Sequence, residues 1–281
     1  MADGCTALAK IAGNRYFIAK NRDLIWTDFA SDVLFEDDVF LVTGVDVSNA
    51  QLTGANFGLN RWGLSACNTT VLVTRDSPYD TLLERILRES KTIEEAFNLV
   101  RSDLRSGSRY QWCNFVLASP QGVGAIEIGD GVCVLEQDYS MITRTNHHLL
   151  LPTAAILSKA SAAEREAGGP LSSSQKRRQE AAQLLKESSS LTDVIQLMGT
   201  HTSSRGFDSI CRHRSGSTIA NPYLGETVYS YIGEVSGLAS GDMEFRISVT
   251  PGNPCSGTYK EFIIDFDATE EKKEQLVMRF P

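Results

Sequence analysis

The stretch Gly4-Cys5-Thr6-Ala7-Leu8-Ala9-Lys10-Ile11-Ala12-Gly13-Asn14-Arg15-Tyr16-Phe17-Ile18-Ala19-Lys20-Asn21-Arg22-Asp23 decides the reading of this chain. Two short apolar runs, residues 5–11 and 16–20, flank a glycine and an asparagine that suit a hairpin turn. Antiparallel return of the second run carries Asn21-Arg22-Asp23 back toward Gly4-Cys5. A thiol, a cation and a carboxylate are thereby expected at one hairpin end. Cleavage before Cys5 would give one residue both a thiol and an α-amino group. A free amine titrates near ~7.7–8 and a thiol near ~8.5, so the amine can accept the thiol proton at neutral pH. Each piece also has a plainer reading, a core cysteine beside a chain end and a charged turn.

Outward from the hairpin, the pattern alternates between sheet and helix. Short apolar runs at 39–43, 57–60 and 63–67 read as further strands. Leu82, Leu83, Ile86 and Leu87 then fall at helical spacing within 79–89, and Thr92 with Glu95 three positions on caps a second helix over 92–100. Strands return at 112–118, 124–128, 132–135 and 141–145, punctuated by Pro120-Gln121-Gly122 and Gly129-Asp130-Gly131. An Ala/Ser/Gly-rich stretch over 154–173 reads as a surface loop or frayed helix, followed by helices at 174–186 and 191–197. Strands at 217–220, 227–232 and 259–264 precede a charged tail at 270–273. This order suits layered α+β packing better than βαβ alternation.

Composition narrows the function. With 27 Lys+Arg against 35 Asp+Glu the net charge is −8, which argues against nucleic acid or an anionic membrane as partner. No apolar run approaches the ~18 residues of a membrane span, and the opening Met1-Ala2-Asp3-Gly4-Cys5 lacks a signal-peptide pattern, so the expected compartment is the cytoplasm. Most of the six cysteines are then expected to be reduced thiols buried as small hydrophobes. Cys211-Arg212-His213 with His201 upstream has neither a second tight pair nor zinc-finger spacing, so no metal is expected. Neither G-x-G-x-x-G nor a P-loop is present, and a nucleophile elbow is absent too.

Taken together, Gly4-Cys5-Thr6, Lys20-Asn21-Arg22-Asp23, Gly58-Leu59-Asn60 with Gly63-Leu64, Asn68, residues 92–96, Thr145-Asn146-His147, residues 174–177, Ile210-Cys211-Arg212-His213 and Gly252-Asn253-Pro254-Cys255 stand in an order and spacing that resemble the N-terminal-nucleophile hydrolases. The chain looks most like the acyl-coenzyme A:6-aminopenicillanic acid acyltransferase family, and more distantly like the bile salt hydrolases and penicillin V acylases. The resemblance implies an α+β fold, a four-layer αββα sandwich, with residues 1–4 as a short propeptide and 5–281 as one domain.

It also implies roles. Cys5 matches the nucleophile, with Gly4-Cys5 as the cleavage site, and Asp23 the carboxylate that holds the nucleophile and its amine. Asn146 matches an asparagine whose amide donates to the oxyanion, and Asn68 falls where related amidases place a second asparagine. An uncharged donor beside the developing charge stabilises a tetrahedral intermediate without competing for protons. Arg177 corresponds to an arginine near the nucleophile, with the adjacent Arg178 as the rival register. Lys20 stands where bile salt hydrolases have arginine. It supplies a cation that can depress the thiol pKa, without the planar fork of hydrogen bonds. His147 and His148 offer a rival Cys-His dyad, while Trp26, Phe29, Phe57 and Trp62 are either acyl-pocket walls or core.

The resulting expectation is a cysteine amidohydrolase or acyltransferase that acts on a linear amide or thioester of a small N-acyl compound. It needs no cofactor, and the reading allows for a homo-oligomer. A dipeptidase-like hydrolase with the same nucleophile and a silent binding protein of the same fold are the alternatives.

Overall fold

The computed structural model describes residues 4–24, 32–46, 51–152, 169–201, 206–214 and 225–281. Strands β1 (Gly4–Ala12) and β2 (Arg15–Leu24) form the expected hairpin, with Ala12 paired to Arg15 across Gly13-Asn14. Gly13 has φ 62°, a positive value at the first central position that glycine adopts without steric cost.

Around this hairpin lies a six-stranded antiparallel sheet. Its order is β10 (Met141–Arg144), β1, β2, β11 (Glu226–Ser236), β12 (Glu244–Pro251), β13 (Lys260–Ile263). A second, seven-stranded antiparallel sheet runs β3 (Val33–Phe35), β4 (Val39–Asp46), β5 (Gln51–Asn60), β6 (Ser65–Leu72), β7 (Trp112–Ser119), β8 (Gly122–Gly129), β9 (Val132–Asp138).

Alternation along the strands sorts side chains into three apolar layers. Ala7, Ala9, Tyr16 and Ile18 from the first sheet meet Phe57, Cys67, Val116 and Ala125 from the second in the central core. Behind the second sheet, Leu82, Leu83, Ile86 and Leu87 of α1 (Tyr79–Glu89) and Ile93, Ala96 and Val100 of α2 (Ile93–Arg105) cover Leu64, Ala66, Phe115 and Leu117. Thr92 caps α2 by accepting from the Glu95 amide at 3.1 Å, as its sequence predicts. Behind the first sheet, α3 (Pro170–Glu187) and α4 (Leu191–Met198) set Ala181, Leu185, Val194 and Met198 against Leu8, Phe17 and Ala19. The result is the αββα sandwich.

Three expectations change or fall away. The charged tail is the first turn of a further helix, α5 (Glu270–Arg279), because acidic residues at a helix start suit its dipole. Strands β3 and β12 lie outside the runs read as strands from sequence. The strand expected at 217–220, most of the loop at 154–173, and Trp26 and Phe29 lie outside the described residues. No helix among the described residues is long and apolar enough to cross a membrane.

Candidate active site

Three strand ends converge on Cys5. In the β1–β2 ladder Gly4 faces Asp23 and Cys5 faces Arg22. The β1–β10 ladder pairs Ala7 with Arg144, and the same register carried two residues further sets Asn146 opposite Cys5, where main-chain pairing has stopped. The Asn146 side chain takes over there. Its Oδ1 accepts from the Cys5 backbone N–H at 3.1 Å and from Arg177 Nη2 at 2.7 Å. Arg177 Nη1 donates to the Cys5 carbonyl oxygen at 2.7 Å and to Thr6 Oγ1 at 3.1 Å. Arg177, and not Arg178, is therefore the arginine that reaches the nucleophile position.

These contacts fix the orientation of Asn146. Two donors converge on one atom, so that atom must be the amide oxygen. The Asn146 Nδ2 group points away and donates to the Thr70 carbonyl at 2.7 Å. The expected oxyanion donor is thus engaged with the backbone, and in this geometry Asn146 holds the Cys5 nitrogen. The turn that carries it is itself braced. Asn114 Nδ2 donates to the carbonyls of Thr145 and His147, and Ser174 Oγ accepts from the Asn146 N–H at 2.7 Å. Buried Glu127 accepts from three successive amides, Leu149, Leu150 and Leu151, at 2.7–2.9 Å and from Arg144 Nε at 3.1 Å.

The two faces of the hairpin separate the remaining groups. Gly4, Thr6, Asn21 and Asp23 face α3 and α4, whereas Cys5, Ala7, Lys20 and Arg22 face the second sheet, because pairing and period-two alternation allow nothing else. Asp23 therefore lies on the face opposite the Cys5 thiol. It accepts from Thr227 Oγ1 at 2.8 Å and from Arg212 Nη1 at 3.4 Å. Burial pushes its carboxyl upward, against the pull of Arg212 and Arg177. Burial likewise draws Arg177 down to about 9, with Arg212 adding repulsion.

Gly4 lies at a close approach to a side chain. A Cβ there would stand 1.8 Å from Arg212 Nη1.

On the other face, β5 and β6 pair only over residues 57–59 against 65–67 and then diverge. The gap is filled by polar side chains. Lys20 Nζ donates to Asn68 Oδ1 at 2.7 Å, Asn56 Nδ2 donates to the same oxygen at 3.3 Å, and Asn68 Nδ2 donates to Asp80 Oδ1 at 2.8 Å and to the Ala55 carbonyl at 3.2 Å. Asn68 thus links Lys20 to Asp80, and its amide donors are engaged by Asp80 and the Ala55 carbonyl. Burial lowers the Lys20 pKa, while the Cys5 and Cys67 thiols nearby oppose that shift. Burial pushes the Cys67 thiol up to about 12, so it is inert beside Cys5.

His147 is held by Ser174 Oγ at 2.8 Å on Nδ1, and burial followed by Arg177 draws it down to about 4, leaving it neutral at pH 7. His148 stacks on Trp112 and contacts the Cys113 carbonyl. Both imidazoles are occupied in bracing, which disfavours the dyad.

A family profile described as acyl-coenzyme A:6-aminopenicillanic acid acyl-transferase matches residues 11–221. The chain belongs to that family. Membership places it among acyl-transferring enzymes, and Cys5 precedes the matched span. Among solved structures, the family member resembles penicillin V acylase from Agrobacterium tumefaciens at 15% identity and TM-score 0.55, over 93% of this chain and 86% of that one. It also resembles a variant of conjugated bile acid hydrolase from Clostridium perfringens at 12% identity and TM-score 0.54, over 94% and 98% of the two chains. At these identities the likeness is one of fold. No curated protein matches by sequence.

Several residues of this acyltransferase-family site had little sequence signal. Thr227 is one threonine in a strand, yet it accepts from the Arg212 amide and donates to Asp23. Asp80, in the first turn of α1, anchors Asn68 and is not singled out in the sequence. Arg212 stands in a quoted motif, where it reads as a supporting contact, and it supports Asp23.

Proposed function

We propose that this chain is a cysteine N-terminal-nucleophile enzyme that activates itself by cleavage at Gly4-Cys5 and then transfers or hydrolyses the acyl group of a small N-acyl compound. The observation that carries this reading is the clamp on Cys5, in which Asn146 Oδ1 takes its nitrogen while Arg177 bridges its carbonyl and Asn146. A merely structural cysteine at a strand end has no need of a buried arginine and asparagine fixed on its backbone.

In the first step Cys5 Sγ attacks the Gly4 carbonyl, the Gly4-Cys5 C–N bond breaks, and the acyl group moves to sulfur. Water then opens the thioester, releasing residues 1–4 with a new carboxylate and regenerating the thiol beside a free α-amine. In turnover that amine, held by Asn146 Oδ1 and biased by Asp23, accepts the thiol proton as Sγ attacks the substrate carbonyl. The proton passes to the leaving amine as the substrate C–N bond breaks. Water or an acceptor amine next attacks the acyl-enzyme, giving its proton to the α-amine, and the thiolate leaves. Lys20 supplies the positive charge beside the thiolate.

Intact mass of purified protein tests the first step, with Cys5 as first residue expected and Gly4 retained in Cys5→Ala. A panel of N-acyl amines, amino acids and thioesters tests the second. Full activity in a preparation that retains Gly4, or unchanged activity in Cys5→Ala, would sink the reading. A substrate requirement for a free amino group would redirect it to a dipeptidase. A fold that never frees or acylates Cys5 would make it a binding protein.

A further inference from the structure

His201, Cys211, His213 and Cys255 lie far from one another in sequence but meet at one point, with all four ligand atoms within 4.8 Å of one another. His201 follows α4, Cys211 and His213 lie on the segment entering β11, and Cys255 sits in the turn after β12. His213 Nε2 is the hub. It stands 2.9 Å from His201 Nε2, 3.6 Å from Cys211 Sγ and 3.3 Å from Cys255 Sγ. A single imidazole nitrogen offers either one N–H or one lone pair, while three potential ligand atoms surround this one.

We infer that these four side chains form a closed tetrahedral Cys2His2 site for a thiophilic divalent cation, zinc by its ligand chemistry. Zn–S near 2.3 Å and Zn–N near 2.0–2.1 Å in a tetrahedron require about 3.3 Å between nitrogens, about 3.6 Å between nitrogen and sulfur and about 3.8 Å between sulfurs. The observed nitrogen–sulfur separations of 3.3 and 3.6 Å meet that requirement, the 2.9 Å nitrogen pair opens by about 0.4 Å, and no pair in the set is wider than 4.8 Å. Two thiolates and two imidazoles select zinc over the oxygen-seeking cations. Four protein ligands leave no open position, so the ion is structural and takes no part in acyl transfer. On binding, the two thiols each release a proton to solvent.

The position gives the ion its use. Arg212 lies between two ligands, with its amide held by Thr227 Oγ1 and its carbonyl by Asn253 Nδ2 at 2.6 Å. Its guanidinium reaches Asp23 and crowds Gly4. The ion would stitch α4, this segment and the β12 turn together at the base of the Asp23 contact. Sequence spacing conceals the site because Cys255 arrives from a remote turn.

Elemental analysis of full-length protein purified without chelator and with reductant is expected to give one zinc per chain. Cobalt exchange is expected to give visible bands and thiolate charge-transfer absorption of a tetrahedral S2N2 centre. Cys255→Ser and His201→Gln should each lower zinc retention against a competing chelator by about tenfold or more. Should either variant fail to fold, the cobalt spectrum of the unaltered protein decides. Reduced protein that neither contains nor takes up zinc or cobalt would overturn the inference. So would protein isolated metal-free with the two-hydrogen mass deficit of a Cys211–Cys255 disulfide, if it still took up neither metal after reduction.

Discussion

Replacing Asn146 with alanine removes three hydrogen bonds at once, from the Cys5 N–H, from Arg177 Nη2 and to the Thr70 carbonyl. All three partners stay buried. Leaving one such group unsatisfied costs about 1–3 kcal/mol, and part of that returns if water enters the vacated volume. We therefore expect a loss of about 3 kcal/mol in stability, and for a chain of this size about 2–4 °C of melting temperature per kcal/mol, hence about 6–12 °C. The effect on turnover is larger in relative terms. In the proposed mechanism the α-amine of cleaved Cys5 then loses the group that orients it, and an Nδ2 freed from Thr70 in the transition state is lost as well. Removal of one such donor costs on the order of a hundredfold or more in kcat. The assay is paired, with calorimetric melting and a burst measurement of acyl-enzyme formation on the same folded protein. A melting point within about 2 °C of the parent would refute the three-bond account. A near-normal burst rate would refute any catalytic part for Asn146.

Three further outcomes follow from the same geometry. Gly4→Ala drives a Cβ into Arg212, whose guanidinium is held by the Phe207 carbonyl at 2.9 Å, so the Asp23 contact breaks. Conversion to the Cys5-first chain should slow about tenfold or more, and an unchanged rate in time-resolved mass spectra would contradict this. Lys20→Met removes one of the two cations, with Arg22, on the Cys5 face, and the pH profile of Cys5 alkylation should move upward by about one unit or more, a profile that stays put being the refuting result. His147 is drawn below its unfolded value of 6.5 to about 4, so its neutral form stabilises the fold fully above pH 6.5, and that contribution, about 3 kcal/mol, is lost as pH falls from 6.5 through 4. His147→Asn should therefore flatten the decline of denaturation midpoints between pH 7 and 4.5, and an equally steep decline would refute the assignment.

The parts of this structure legible in the sequence are those that local rules govern. The turn at Gly13-Asn14, the Thr92 cap and the apolar face of α1 each depend on residues within four or five positions of one another. What escaped reading depends on distant partners. The direction in which Asn146 turns its amide follows from Arg177 on α3 and Thr70 on β6, which no local pattern connects. The link between Lys20 and Asp80 through Asn68 exists because β5 and β6 separate, an event of sheet geometry rather than of sequence period. Strand β12 does alternate, with Phe245, Ile247 and Val249 inward, yet Arg246 and the preceding acidic residues mask the run.

In the proposed mechanism, the hairpin register lets one residue act as both nucleophile and base without the two functions interfering. The Cys5 side chain faces the second sheet with Lys20, while Asp23, Arg177 and Arg212 gather on the opposite face. The backbone nitrogen lies in the plane between them, where Asn146 holds it. Charge near the thiol and charge near the amine can then be set separately, because each belongs to a different layer of the sandwich. Lys20 favours the thiolate from one side. On the other side a carboxylate and two arginines, buried together, hold their charges in tension. Cleavage at Gly4 would add an ammonium and a departing carboxylate at that point. A site whose outer face already balances opposing charges can absorb that change with small movements of Arg212, the group that crowds Gly4 before the bond is broken.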